Sequence, residues 1–107
     1  MIKVEVEYKG KGFHSLLIKG HANTGDYGKD LVCAGVSAVS IGAMNALADP
    51  EDDFEIEMEP GMLSCIAKAG ISEHDQAVIE TLLIQLKTIE VSYPQAIDIK
   101  ELSLIHI

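Results

Sequence analysis

The stretch I-K-V-E-V-E-Y-K, residues 2–9, decides the fold. Ile2, Val4, Val6 and Tyr8 fall on one side of an extended chain, and Lys3, Glu5, Glu7 and Lys9 on the other. That two-residue period belongs to a strand with one face buried and one in water, which needs a second layer only on its apolar side. Gly10 and Gly12 bracket a hairpin turn, and Phe13 to Lys19 reads as the returning strand, ending at Gly20.

Beyond a loop at residues 21–29, Leu31 to Ala48 is an uncharged run of 18 residues, close to the length that spans a bilayer. It contains Gly35, Ser37, Ser40, Gly42 and Asn45 and is bounded by Asp30 and Asp49. A buried core helix is therefore expected, not a membrane span, with Asp30 as its N-cap, Cys33 in its first turn and Asp49-Pro50 as its stop. Phe54, Ile56 and Met58 then alternate with Glu55, Glu57 and Glu59, and Pro60-Gly61 turns the chain into a fourth strand from Met62 to Lys68. Ser72 and Asp75 resemble a capping box ahead of a long helix marked by Val78, Leu82, Leu86 and Ile89, which Pro94 ends. Ile97 to about Leu104 supplies the last strand. The order β-β-α-β-β-α-β predicts a single α+β domain over residues 1–107, with a mostly antiparallel sheet, two helices and two halves alike in outline.

Composition narrows the function. A chain of 107 residues, 48% hydrophobic, fills one core. Its net charge of −9 divides into +1 for residues 1–48, −7 for 49–60 and −3 for 61–107. With only eight Lys and Arg there is no basic stripe to neutralise a phosphate backbone, so direct nucleic-acid binding is disfavoured and a basic protein or peptide partner fits better. The seven carboxylates between Asp49 and Glu59 read first as a solvated strand face and second as a docking surface. Met1 leads straight into the strand pattern with no secretory leader, and Cys33 and Cys65 are 32 residues apart with no C-x-x-C, so a reducing cytoplasm is the expected location. No cofactor is implied. Asp26-Tyr27 stands where a phosphate loop requires Lys followed by Ser or Thr, and His14, His74 and His106 are scattered without metal-ligand spacing.

Chemistry concentrates between Gly20 and Ser40, where a histidine ends a strand and a cysteine opens a helix across a loop containing Gly25 and Gly28. A thiol at a helix N-terminus is biased towards thiolate by the dipole and the unpaired N–H groups, and those groups can also hold an oxyanion. An imidazole within reach can take the thiol proton and return it to a leaving amine. The same residues equally permit a small buried thiol at Cys33 and a solvated loop histidine at His21. Cys65, between Ser64 and Ile66 in a strand, reads as packing.

Gly20-His21-Ala22, Gly28-Lys29-Asp30-Leu31-Val32-Cys33-Ala34 and Val36-Ser37 form a pattern that resembles the ribosomal-processing cysteine proteases, and the likeness extends along nearly the whole chain. The resemblance implies that Cys33 is the nucleophile and His21 the base of an endopeptidase. Its substrate would be the N-terminal extension of a large-subunit ribosomal protein precursor, and the enzyme would act as a homodimer away from membranes. It also matches Asp30 to an acidic family position, where the carboxylate would orient the imidazole in competition with the cap reading. Ser37, four residues after Cys33 on the same helical face, would support the site by a hydrogen bond. Gly25 and Gly28 would let the loop move over a bound peptide. The competing reading is a non-catalytic ribosome-assembly adaptor that binds a basic ribosomal protein, although an adaptor has no chemical need for the histidine-cysteine pattern. A thiol redox sensor is weakened by the lack of a nearby resolving cysteine.

Overall fold

The computed structural model describes the backbone of residues 1–20 and 27–104, and side chains for 1–20 and 31–103. Strands β1 (Ile2–Lys9) and β2 (Gly12–Lys19) precede helix α1 (Tyr27–Ala46) and a one-turn helix α2 (Pro50–Asp53). Strands β3 (Phe54–Glu59) and β4 (Met62–Ala67), helix α3 (Glu73–Ser92) and strand β5 (Ile97–Leu104) complete the chain. The strands form one sheet in the order β3-β4-β2-β1-β5. Every neighbouring pair is antiparallel except β1 and β5, which run parallel from Ile2 opposite Ile97 to Lys9 opposite Leu104. The expected α+β domain with a mostly antiparallel sheet is thus the one observed.

The period-2 pattern survives intact in β1, where Ile2, Val4 and Val6 are buried and Lys3 and Glu5 exposed. In β2 the buried residues are Phe13, Leu16 and Ile18, a spacing that breaks the alternation. The pairing shifts between Glu7 and Tyr8, which face Ser15 and Phe13, so His14 is an inserted bulge residue that returns Phe13 to the core side. The long helices pack against each other over this apolar face. The opposite face of the sheet carries Lys3, Glu5, Lys19, Glu55 and Glu57 to solvent.

Burial decides the stability of α1. Gly28, Gly35 and Gly42 each weaken a helix by about 1 kcal/mol relative to Ala. Against this, Val32, Val36 and Met44 are buried in the core, with Leu47 just beyond, and each contributes about 1.5–3 kcal/mol. No helix is long and apolar enough to cross a membrane among the described residues.

Helix α3 is secured at both ends. Ser72 Oγ accepts from the Asp75 N–H at 3.1 Å, and the Tyr93 N–H donates to the Ile89 carbonyl at 2.8 Å. The reciprocal half of the expected capping box is absent: the buried Asp75 carboxylate instead accepts from the Ala48 N–H at 3.0 Å, joining the start of α3 to the end of α1. Glu90 accepts from the Ile99 N–H at 2.9 Å and so occupies a donor on edge strand β5. At the far end of the sheet, the Tyr8 hydroxyl donates to Glu101 at 2.9 Å, and Glu101 also pairs with Lys87.

Two boundaries differ from the sequence expectation. Helix α1 begins at Tyr27, so Gly28 lies in the helix and not in the preceding loop, and Asp30 is a helical residue and not the N-cap. The short α2 was not expected. Its signals are local: Asp49 caps it by accepting from the Asp52 N–H, Pro50 stands in the first turn, and Glu51, Asp52 and Asp53 favour the positive end of the helix.

Candidate active site

Cys33, Ser37 and Ser40 recur at the i, i+4, i+7 spacing that aligns side chains along one face of a helix. That face forms one wall of a cleft of about 340 Å³, to which Val36 and Ile41 also contribute. The opposite wall is the β3–β4 turn from Met58 to Leu63, and Ile2, Ile18 and Gly20 complete the lining. The turn is held in shape by its own sequence, since Pro60 presets φ and Gly61 adopts φ +76°, the pattern of a type II turn.

Gly20 fixes where the chain leaves β2. Its N–H donates to the Gly61 carbonyl at 2.9 Å, joining the strand end to the turn across the cleft. Its φ is +91°, and an added Cβ would lie 2.8 Å from the Met1 carbonyl oxygen. Only glycine fits that combination without strain.

Cys33 is half-buried on the cleft wall. It is the seventh residue of α1 and not a first-turn residue, which corrects the basis for its expected reactivity. The helix dipole acts mainly within the first turn, and from the fifth residue onward each N–H bonds one turn back. Within α1, neither a strong dipole field nor an open backbone N–H is therefore available at Cys33. Ser37 is exposed and lines the same cleft, as the i+4 spacing requires. His21 and Gly25 lie outside the described residues, as does the side chain of Asp30.

Cys65 has the opposite surroundings. It is fully buried in β4, facing Leu16 on one side and Ile56 on the other, and burial pushes its thiol up to about 12. The packing role expected from sequence is the one observed.

Sequence reasoning missed the second wall and Ser40. The cleft depends on the pairing of β2 with β4, a contact between the two halves that no local pattern encodes. Ser40 carried a usable signal in its seven-residue spacing from Cys33 but reads in sequence as one of several small helix residues. It is 2% exposed, and its Oγ has no hydrogen-bond partner among the described residues.

A family model of cysteine protease Prp matches residues 1–98. The ribosomal processing cysteine protease Prp of Staphylococcus aureus (strain NCTC 8325 / PS 47) is 33% identical over 101 residues, covering 91% of this chain and 95% of its own. The protein of the same name from Bacillus subtilis (strain 168) is 38% identical over 90 residues, covering 78% and 80%. Two crystal structures of the S. aureus protease are similar to this fold. The complex with a covalently linked product peptide has a TM-score of 0.82 at 30% identity, and the complex with a substrate peptide a TM-score of 0.84 at 28%. Each similarity covers 94% of this chain and 99% of the other.

Proposed function

The chain belongs to the Prp family of cysteine proteases, and from that premise we propose that it removes the N-terminal extension of a large-subunit ribosomal protein through a His21/Cys33 dyad. The observation that carries this reading is Cys33, half-buried on the wall of an apolar cleft whose lining includes Gly20, one peptide bond before His21. The His21 imidazole takes the Cys33 proton, and Sγ attacks the scissile carbonyl. Collapse of the tetrahedral adduct breaks the peptide bond, and the imidazolium returns the proton to the departing amine. Water, deprotonated by the imidazole, then hydrolyses the thioester and restores the thiol.

Because Cys33 lies beyond the first helical turn, the dyad depends on the base more than a helix-terminal thiol does. Ser37, exposed beside Cys33, supports the reacting groups by hydrogen bonding, and Asp30 orients the imidazole now that the cap role has been removed. The exposed Glu55, Glu57 and Glu59 suit a basic ribosomal substrate, and the reading includes a homodimer working in the cytoplasm.

The test is incubation with the host's ribosomal-protein precursor and detection of a shortened product by mass spectrometry. Wild type yields the product. His21→Ala is inactive near neutral pH and partly recovers at high pH, where the thiol ionises unaided. Wild-type rates for His21→Ala at neutral pH would remove the histidine from the mechanism.

A further inference from the structure

We propose that the outer edge of β3 docks an extended segment of the substrate as an added strand of the sheet, with basic side chains facing Glu55, Glu57 and Glu59. The inference rests on the reading of the cleft as the peptide site of Cys33, and it concerns the substrate beyond the cleft. The outer strands of the sheet are β5 and β3. At β5 the Ile99 N–H is already taken by the Glu90 carboxylate. At β3 the two-residue turn closes on Glu59 and Met62, so Glu59, Glu57 and Glu55 bond to β4 and the N–H and C=O groups of Ile56 and Met58 turn outward. Nothing among the described residues pairs with those outward groups. Met58 and Glu59 also line the cleft, so the free edge leads directly out of it.

The alternation of β3 defines the occupant. On the face of the sheet away from the helices, Glu55, Glu57 and Glu59 stand exposed in one column, repeating about every 6.8 Å. Their neighbours on β4 are Ile66, Ser64 and Met62, so the column is not neutralised from within the sheet. On the helix side, the exposed Met58 and Ile41 line the cleft. An added strand has the same two-residue repeat, and its own alternation places Lys or Arg beside the carboxylates and apolar residues towards Met58. The edge also rejects a second copy of itself. Two β3 strands set edge to edge would bring their glutamate columns together, and like charges facing each other are unfavourable. A chain in which basic and apolar residues alternate meets no such opposition.

The experiment uses peptides covering the N-terminal extension of the host's ribosomal protein and the residues that follow it, with the backbone nitrogen methylated at one position at a time. Binding to Cys33→Ala is measured by calorimetry. Cleavage of the unmethylated peptide is measured with wild type and with Glu55→Gln/Glu57→Gln, which leaves the lining of the cleft as it is. Methylation weakens binding by about two- to tenfold at alternate residues on one side of the scissile bond and does little at the residues between them. The double substitution acts chiefly on KM, raising it about two- to thirtyfold. Glutamine in place of each Lys and Arg of the peptide removes that difference between the two proteins. Cleavage without the alternating methylation pattern, or with the same KM in both proteins, overturns the proposal and leaves the protease reading standing. The alternating pattern in binding, without cleavage by wild type, keeps the docking edge and removes the protease reading. Absence of both binding and cleavage ends both.

Discussion

The two halves of the molecule, β1-β2-α1 and β3-β4-α3, repeat one supersecondary unit and put it to different uses. The first half has a helix rich in Gly, Ala and Ser, whose face carries Cys33, Ser37 and Ser40 into a cleft. The second has a charged helix capped by Ser72 and tied back to α1 by Asp75, and its cysteine is buried in a strand. The difference is one of placement: Cys33 lies on the wall of a cleft and Cys65 in the core.

The largest effect separates the cysteines by function. Cys33→Ala lowers precursor cleavage by on the order of a thousandfold or more, whereas Cys65→Ala keeps most of it, as mass spectrometry of the products will record. Comparable losses in both variants would break the comparison. Reactivity gives a smaller but substrate-independent contrast. A pKa of about 12 leaves Cys65 about one thiolate in ten thousand at pH 8, and burial adds to its protection. Native alkylation with iodoacetamide should label Cys33 at least about a hundredfold faster, with the difference vanishing in denaturant. Peptide mapping reads both sites in one digest.

The smallest effect sharpens the supporting role of the second half. Burial alone raises the Asp75 pKa, but the Ala48 N–H, the adjacent His74 and the Ser72 hydroxyl outweigh it and hold the carboxyl below its ordinary value. A group depressed in the folded state stabilises fully above its unfolded pKa, and that stability disappears as pH falls through the folded one. Asp75→Asn should cost about 1–3 kcal/mol near neutral pH and less in acid, measured by denaturant unfolding over a pH series. An equal cost at every pH would show that the ionised form contributes nothing.

How far the sequence could be read follows from the range of each interaction. Strand β1 was legible because Ile2, Val4 and Val6 need only an apolar layer beside them, and α3 because Ser72 and Leu82 announce its cap and its buried face. The start of α1 was misplaced because Asp30 is a good cap in isolation, whereas the burial of Val32 and Val36 sustains a helix that runs back through Gly28. The shared helical face of Cys33 and Ser37 was legible from their i+4 spacing. The cleft was not, because it arises where β2 meets β4 and where Gly20 meets Gly61, forty-one positions away in the chain.

The parallel pairing of β1 with β5 has a kinetic consequence. Ile2 waits for Ile97, so β1, next to the edge of the finished sheet, keeps one side open until β5 has been synthesised. Contacts that distant in sequence are slow to close, and an unpaired strand edge invites association with other chains. A nascent chain can form the β1–β2 hairpin early, but the sheet gains its fifth strand only after α3 has left the exit tunnel. Substitutions that weaken β5 should therefore reduce soluble yield more than they reduce the activity of the molecules that do fold.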